Sequence, residues 1–201
     1  MRMPHSGYVR FWRWNRTLPL LVLGVVSLIC WAMLSAPRNV VRSFLLPVKY
    51  EGYITASCAR HDVDPYLVCA VIECESGWDA SSTSSAGAMG LMQLMPETAE
   101  SLAALGVVDA WSYDPDNLLD PQTSIEYGCG CLSYLQSEFG ATDEVIVAYN
   151  AGMGTTQDWL EDEEHITDAI DYPETAIYLQ KVKAYRELYE QFYPEGIGEA
   201  A

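Results

Sequence analysis

The first 49 residues contain no Asp or Glu, and residues 50–201 contain only four Lys or Arg. Arg2, Arg10, Arg13, Arg16, Arg38, Arg42 and Lys49 give the head a net charge of +7, whereas 28 acids against four cations give the remainder −24, for −17 in all. An acidic body without clustered cations has no surface for phosphate contacts, which excludes nucleic acid as its partner. Histidine is equally scarce. His5, His61 and His165 form no zinc-ligand spacing with the cysteines, so neither a metal nor a cofactor is expected. Beyond Cys30 the chain has Cys58, Cys69, Cys74, Cys129 and Cys131, an odd number, and Cys129 and Cys131 are too close in a helix to bridge each other. They read as small core residues, with one or two bridges left open. Internal repeats and long low-complexity stretches are absent.

One long uncharged stretch is present. Leu18 to Leu34 is an apolar run of 17 residues, preceded by Arg10, Arg13 and Arg16, with Trp12, Trp14 and Trp31 near its ends. As a helix it just reaches across a bilayer core of about 30 Å. The arginines set a cytoplasmic N-terminus, and the tryptophans suit the membrane interface. The expected organisation is a basic cytoplasmic segment (1–16), a single-pass signal anchor (17–35), a proline-bearing linker (36–49), an extracytoplasmic domain (50–193) and a short tail (194–201). The alternative is a cleaved signal peptide followed by secretion. Ser35 and Ala36 supply small residues for it, but Pro37 follows directly.

The domain reads as helical almost throughout. Tyr50 to His61 is a first helix. Asp64-Pro65 and Asp120-Pro121 each combine an N-cap with proline at the first helical position. They start helices that run to Ser76 and to Phe139. Pro96 starts another, stopped by Gly106; Thr142-Asp143-Glu144 caps a short one that Asn150-Ala151-Gly152 breaks; Pro173 begins the last, to about Tyr193. Residues 77–92, rich in Gly, Ser and Ala, are a loop and the place for any strand. The acids between Asp158 and Asp171 read as a solvated, mobile surface segment. The fold class is mainly α with minimal β, in one compact domain.

Glu75 is the first candidate for chemistry. At 3.6 residues per turn Val68, Val71, Ile72 and Glu75 share one helix face, which puts a carboxylate on the core-facing stripe just before the Gly77 stop. Burial without a cation raises a carboxylate's pKa, and an acid still protonated near neutral pH can give a proton to a leaving oxygen. Glu73 leaves the helix on another side and is assigned to solvent. Asp64 and Asp120 are caps.

Four segments stand in order: Glu75-Ser76-Gly77-Trp78; Ser84 to Pro96 (SSAGAMGLMQLMP); Ala148-Tyr149-Asn150-Ala151-Gly152; and Pro173-Glu174-Thr175-Ala176-Ile177-Tyr178. In these, over about residues 48–192, the chain closely resembles the bacterial lytic transglycosylases with a soluble-type, goose-lysozyme-like catalytic domain. The resemblance implies a lysozyme-like fold and cleavage of peptidoglycan glycan strands between N-acetylmuramic acid and N-acetylglucosamine. It implies Glu75 as the catalytic acid and Gln93 and Tyr149 as cleft residues at the scissile bond. Ser84, Met95, Glu174 and Tyr178 match further substrate-binding positions.

Residue chemistry accords with those roles. Gln93 offers donors and an acceptor to acetamido and hydroxyl groups. Tyr149 can offer its hydroxyl to Glu75 or to the sugar. Gly87 and Gly90 would let backbone approach the sugar. Each also has a plainer use: Gln93 as a loop tie, Tyr149 as a capped core residue, Met92 and Met95 as packing, Trp78 as support, Glu174 as an organiser of the cleft. A two-carboxylate hydrolase needs a second acid across the bond; Asp79 is the nearest in sequence. As in the family, a single acid suffices when the sugar's own C6 hydroxyl closes onto C1, leaving a 1,6-anhydromuramyl end. A hydrolytic muramidase of the same fold and a silent wall-binding module are the alternatives. The chain departs from its relatives at Ala176, where they often carry a cation, and at Gly130-Cys131, where they often carry Trp-Tyr.

Overall fold

A computed structural model describes residues 18–28, 31, 42, 45–163 and 165–198. The chain divides into two units, residues 1–45 and 46–201. In the first, residues 18–28 are helical with exposed side chains. The expected cytoplasmic segment 1–16, residues 17, 29, 30 and 32–35 of the expected anchor and most of the linker lie outside the described residues. Among the described residues no helix is long and apolar enough to cross a membrane.

Among the described residues the second unit has eight helices: α1 (Glu51–His61), α2 (Pro65–Ser76), α3 (Pro96–Ala104), α4 (Pro121–Glu138), α5 (Thr142–Ala151), α6 (Met153–Asp162), α7 (Ile166–Ala169) and α8 (Pro173–Phe192). Their starts have local causes. Asp64 Oδ1 accepts from the Tyr66 amide at 2.9 Å, and Asp120 Oδ2 accepts from the Thr123 amide at 2.9 Å, each followed by proline at the first helical position. Glu144 reaches back to the Ala141 amide at 3.1 Å. Gly77 ends α2 in the left-handed conformation, and Gly152 ends α5.

α2 is the central rod. Leu67 through Ile72 are all buried, so the helix is enclosed on every side over nearly two turns. Its main partner is α8, whose Tyr178, Leu179, Val182 and Tyr189 face inward; α1 packs on α4, and α5 packs on α8 and α4. Burial of Ile54, Leu67, Ile72, Leu91, Met92, Ile125, Leu132 and Ile146 makes one continuous core, each such side chain contributing about 1.5–3 kcal/mol. Trp78 follows the α2 stop with φ 67°, a strained value for a bulky residue. It is held there at 2 % exposure, its Nε1 donating to the Tyr189 hydroxyl at 3.1 Å. That is the supporting role expected of it.

The loop 77–95 carries the only ladder contacts among the described residues, two isolated antiparallel bridges, Thr83–Met89 and Met89–Leu94. Cys58, Cys69, Cys129 and Cys131 are buried free thiols and Cys74 is a half-buried one. The acid-rich stretch from Asp158 to Asp171 corrects the expectation of a loose surface segment. It falls largely within α6 and α7, with Thr156 and Ile166 buried and Trp159 packed edge-on against Tyr172 at 5.1 Å. Asp158, Glu161 and Asp168 are exposed on these helices, whereas Thr156 and Ile166 are buried.

Away from these helix ends, α1 and α4 share a buried polar cluster. Glu126, almost without solvent access, accepts from Ser57, Arg60 and His61. Its burial alone would push the carboxyl up, but the His61, Arg60 and Ser57 partners outweigh it and hold the group down at about 2.

Candidate active site

Glu75 lies in the last turn of α2, half-buried, with its carboxyl on a groove. Burial raises that carboxyl above the usual carboxylate range. The Tyr178 hydroxyl, donating to Oε1 at 2.7 Å, partly offsets the rise. Tyr178 itself is 9 % exposed, and burial first, then the Glu75 charge, pushes its phenol well up. The phenol therefore stays a neutral donor. Glu73, two residues earlier, points elsewhere. It is half-buried, with its Oε2 3.5 Å from the Tyr189 hydroxyl, so it is less solvated than expected, and it does not line the Glu75 groove.

The four segments singled out in the sequence close into a ring of hydrogen bonds. Ser76 Oγ donates to the Leu91 carbonyl at 2.8 Å, joining the first segment to the second. Tyr149 Oη donates to the Met92 carbonyl at 2.8 Å, joining the third to the second. Thr175 Oγ1 donates to Asn150 Oδ1 at 2.9 Å, joining the fourth to the third. Tyr178 to Glu75 returns to the start. Two of these bonds use main-chain carbonyls of the 77–95 loop that no helix or sheet would satisfy. The same ring that gathers the motifs thus anchors the loop.

This arrangement revises two expectations about hydroxyls and glycines. The Tyr149 hydroxyl is spent on Met92, not on Glu75, and Tyr178 takes the Glu75 contact. Tyr149 is still close: burial chiefly, and the Glu75 charge among lesser causes, push its phenol well up. Gly90, at φ 78°, approaches not a ligand but its own chain, because a side chain there would collide with the Leu118 carbonyl and the Ser124 hydroxyl. Gly128 serves likewise: a Cβ would strike the Met92 thioether, so the fully buried Met92 is packing.

The other candidates divide between two grooves. Glu75, Glu174 and Tyr178 line one of about 380 Å³, with Cys74, Asn150, Ile177 and Lys181. Gln93, Met95 and Tyr149 line a second of about 440 Å³, mostly apolar, floored by α3, α4 and α5. The last turn of α5 gives Tyr149 to one and Asn150 to the other, and so forms a wall common to both. Gln93, at φ 47°, donates both amide hydrogens to its own loop, to the Ser82 and Gly90 carbonyls at 3.1 and 2.8 Å. Only its Oε1 has no partner among the described residues. Ser84 lines neither groove; its Oγ accepts from the Ala88 amide at 3.0 Å and shapes the turn. Glu174 is exposed in the first turn of α8. Cys74 is a poor nucleophile: burial first, then the Glu75 charge, pushes its thiol to about 12. Ile177, within the fourth motif but given no role there, and Lys181, beyond it, also line the groove, as the spacing 174, 177, 178, 181 on one face of α8 allows. Among the described residues no group of side chains is arranged to hold a metal ion.

The family model described as the transglycosylase SLT domain matches residues 52–171, and the chain belongs to that family. It is 32 % identical over 154 residues to the soluble lytic murein transglycosylase of Escherichia coli K12, covering 73 % of this chain and 24 % of that protein. It is 35 % identical over 117 residues to membrane-bound lytic murein transglycosylase F of Pseudomonas fluorescens, covering 55 % of this chain and 22 % of that protein. Among solved structures, an inactive glutamate-to-glutamine mutant of lytic transglycosylase Slt from Pseudomonas aeruginosa superposes with a TM-score of 0.68 at 27 % identity, over 75 % of this chain and 25 % of that one. The chain thus spans about a quarter of the length of these relatives.

Proposed function

We propose that the domain at residues 50–193 is a lytic transglycosylase that cleaves the β-1,4 bond between N-acetylmuramic acid and N-acetylglucosamine in peptidoglycan without consuming water. The observation that carries this reading is the Glu75 carboxyl, raised by burial, opening onto a groove and fixed there by the Tyr178 hydroxyl. A carboxyl with an elevated pKa holds its proton into the working pH range and gives it to the glycosidic oxygen as the bond breaks. The 2-acetamido group of the muramyl residue stabilises the anomeric centre. Glu75, now a carboxylate, takes the proton of the C6 hydroxyl, and that oxygen closes onto C1. The hydroxyl is part of the same sugar, so the attack carries the advantage of an intramolecular reaction. Tyr178 is the natural stabiliser of the carboxylate stage, because its hydrogen bond favours the charged form.

Gln93 Oε1, Met95 and Tyr149, on the adjoining groove, are assigned to the glycan on the far side of the shared wall, and Ser84 to the shape of the loop that carries Gln93. The reading draws support from the lytic murein transglycosylases to which the chain is similar. It draws support also from the inactivity of a relative altered at one glutamate. Residues 17–35 are assigned as the membrane anchor of this enzyme, on their freedom from charge and the arginines before them.

Hydrolysis is the second reading, and one observation favours it: Glu174 supplies a second carboxylate to the Glu75 groove. The products decide. Digestion of wall sacculi by the full chain, followed by mass spectrometry of the released muropeptides, yields anhydro ends, one water lighter than the reducing ends that hydrolysis leaves.

A further inference from the structure

We propose that Cys58 on α1 and Cys129 on α4 are a disulfide pair, which an oxidising compartment closes into a bridge stapling the two helices. The pairing belongs to the folded domain itself; its closure in the cell rests on the reading above that residues 50–193 lie beyond the membrane.

The first observation is contact. Cys58 and Cys129 are both buried, and their thiols are hydrogen-bonded to each other. Contacts on either side hold them together. Glu126, about one turn before Cys129 on α4, accepts from Ser57 and from Arg60 Nε at 3.0 Å, and pairs with His61 at 3.0 Å. Gly130, directly after Cys129, also meets α1, because a Cβ there would stand 3.5 Å from the His61 ring. The stretch 57–61 of α1 is thus laid along 126–130 of α4, with the two sulfurs between the flanking contacts. A disulfide needs Cα atoms within about 7 Å, closer than the usual spacing of helix axes. Gly130, where relatives often carry tryptophan, leaves room for that approach; a Cβ there would already crowd Val108 at 2.6 Å.

The second observation is selection among the thiols of the domain. Cys131 lines the apolar groove beside Tyr149, and Cys74 lines the Glu75 groove. Cys69, buried on α2, is the rival partner. Burial first, then the Cys58 charge, pushes its thiol well up, but no hydrogen bond joins it to Cys58. Cys129 is pushed well up by the hydrogen bond to Cys58 first and by burial next. It has no solvent access, whereas Cys58 is 4 % exposed, so an oxidant meets Cys58 first. That oxidant is a small-molecule or protein disulfide. The Cys58 thiolate attacks one of its sulfurs, forming a mixed disulfide and releasing one thiol. The Cys129 thiolate then attacks the Cys58 sulfur and displaces the second thiol. One S–S bond forms as one is consumed, the two protons of the pair pass to the two released thiols, and two electrons pass from the pair to the oxidant. Burial shields both sulfurs in the closed domain, so the bridge closes during folding or opening.

The test uses the full-length chain in detergent. The reduced protein is equilibrated with oxidised and reduced glutathione in mild urea, which exposes the buried pair, and is returned to buffer. Free thiols are then alkylated, and mass spectrometry of unreduced peptides reads the links. The expected result is a bridge between Cys58 and Cys129, lost on adding a reductant. The bridged chain melts on the order of 10 °C above the reduced one, because the link closes a long loop of the unfolded chain. Cys58→Ser and Cys129→Ser each abolish both the link and the oxidant-dependent rise. A wild type in which Cys58 and Cys129 are both alkylated, or in which Cys58 is joined to Cys69, overturns the inference. Alkylation in intact cells before lysis tests the compartment separately. A pair that bridges in the tube but is reduced in cells leaves the pairing standing and overturns the placement of the domain in an oxidising space beyond the membrane.

Discussion

The Tyr178 hydroxyl donates to Glu75 Oε1 at 2.7 Å across the α2–α8 interface, joining residues 103 positions apart. The bond opposes the effect of burial on the same group: desolvation favours the protonated acid, and the phenol favours the carboxylate. In the proposed mechanism Glu75 first gives a proton and then takes one back, and the two influences serve the two stages. α2 and α8 make the most extensive helix pairing of the fold, so the two groups are held by packing.

Tyr178→Phe removes the donor and leaves the burial. The Glu75 carboxyl then moves further above its ordinary range, and the alkaline limb of the pH–rate profile moves to higher pH. The maximal rate falls roughly tenfold with the loss of about 1.5 kcal/mol of hydrogen bonding to the charged form. Turnover of sacculi measured across pH checks this. A limb that stays put or moves to lower pH would show that Tyr178 does not act on Glu75.

The Glu126 cluster governs stability, not chemistry. Its carboxyl lies at about 2 in the fold against an ordinary value near 4.5. A depressed value means that its stabilisation is complete above the ordinary value and is lost as pH falls toward 2. The amount is on the order of 3 kcal/mol. Urea titrations of the wild type should show the midpoint dropping steeply between about pH 5 and about pH 2. Glu126→Gln, which leaves Arg60 without its charge partner, should cost about 3 kcal/mol or more near neutrality and flatten that slope. A variant with the wild-type slope would remove Glu126 from the account.

Gly90 and Gly106 both have positive φ, 78° and 70°, but only Gly90 has the Leu118 carbonyl and Ser124 hydroxyl where a side chain would go. Gly106→Ala meets open space and should cost about 1 kcal/mol of backbone strain. Gly90→Ala adds overpacking and should cost about 3 kcal/mol. It should also displace the Leu91 and Met92 carbonyls that receive Ser76 and Tyr149, with loss of activity. Thermal unfolding of the two variants side by side is the measurement; equal losses would contradict the packing argument.

What the sequence makes legible follows the range of the forces involved. Asp64-Pro65 and Asp120-Pro121 announce helix starts because a cap and its amide are two or three residues apart. Glu75 announces itself because helical phase is local. The partners of Tyr149 and Tyr178 are set by packing over 57 and 103 residues, and no local pattern separates a phenol that meets a carboxylate from one that meets a carbonyl. Motif resemblance placed both in one cleft, but not which does what. The same limit applies to Gly90, whose glycine signal is clear while its neighbour, Leu118, lies 28 positions on. In the acid-rich stretch, charge density masked the inward Ile166 and the Trp159–Tyr172 contact that hold α6 and α7 in place.

The central claim is a proton held on Glu75, and its most direct test replaces the carboxyl by an amide of the same shape. Wild type and Glu75→Gln, matched by circular dichroism and melting temperature, are incubated with purified sacculi and the soluble products analysed by mass spectrometry. The account predicts 1,6-anhydromuropeptides from the wild type and none from the folded variant. Release of those products by Glu75→Gln at the wild-type rate would contradict it.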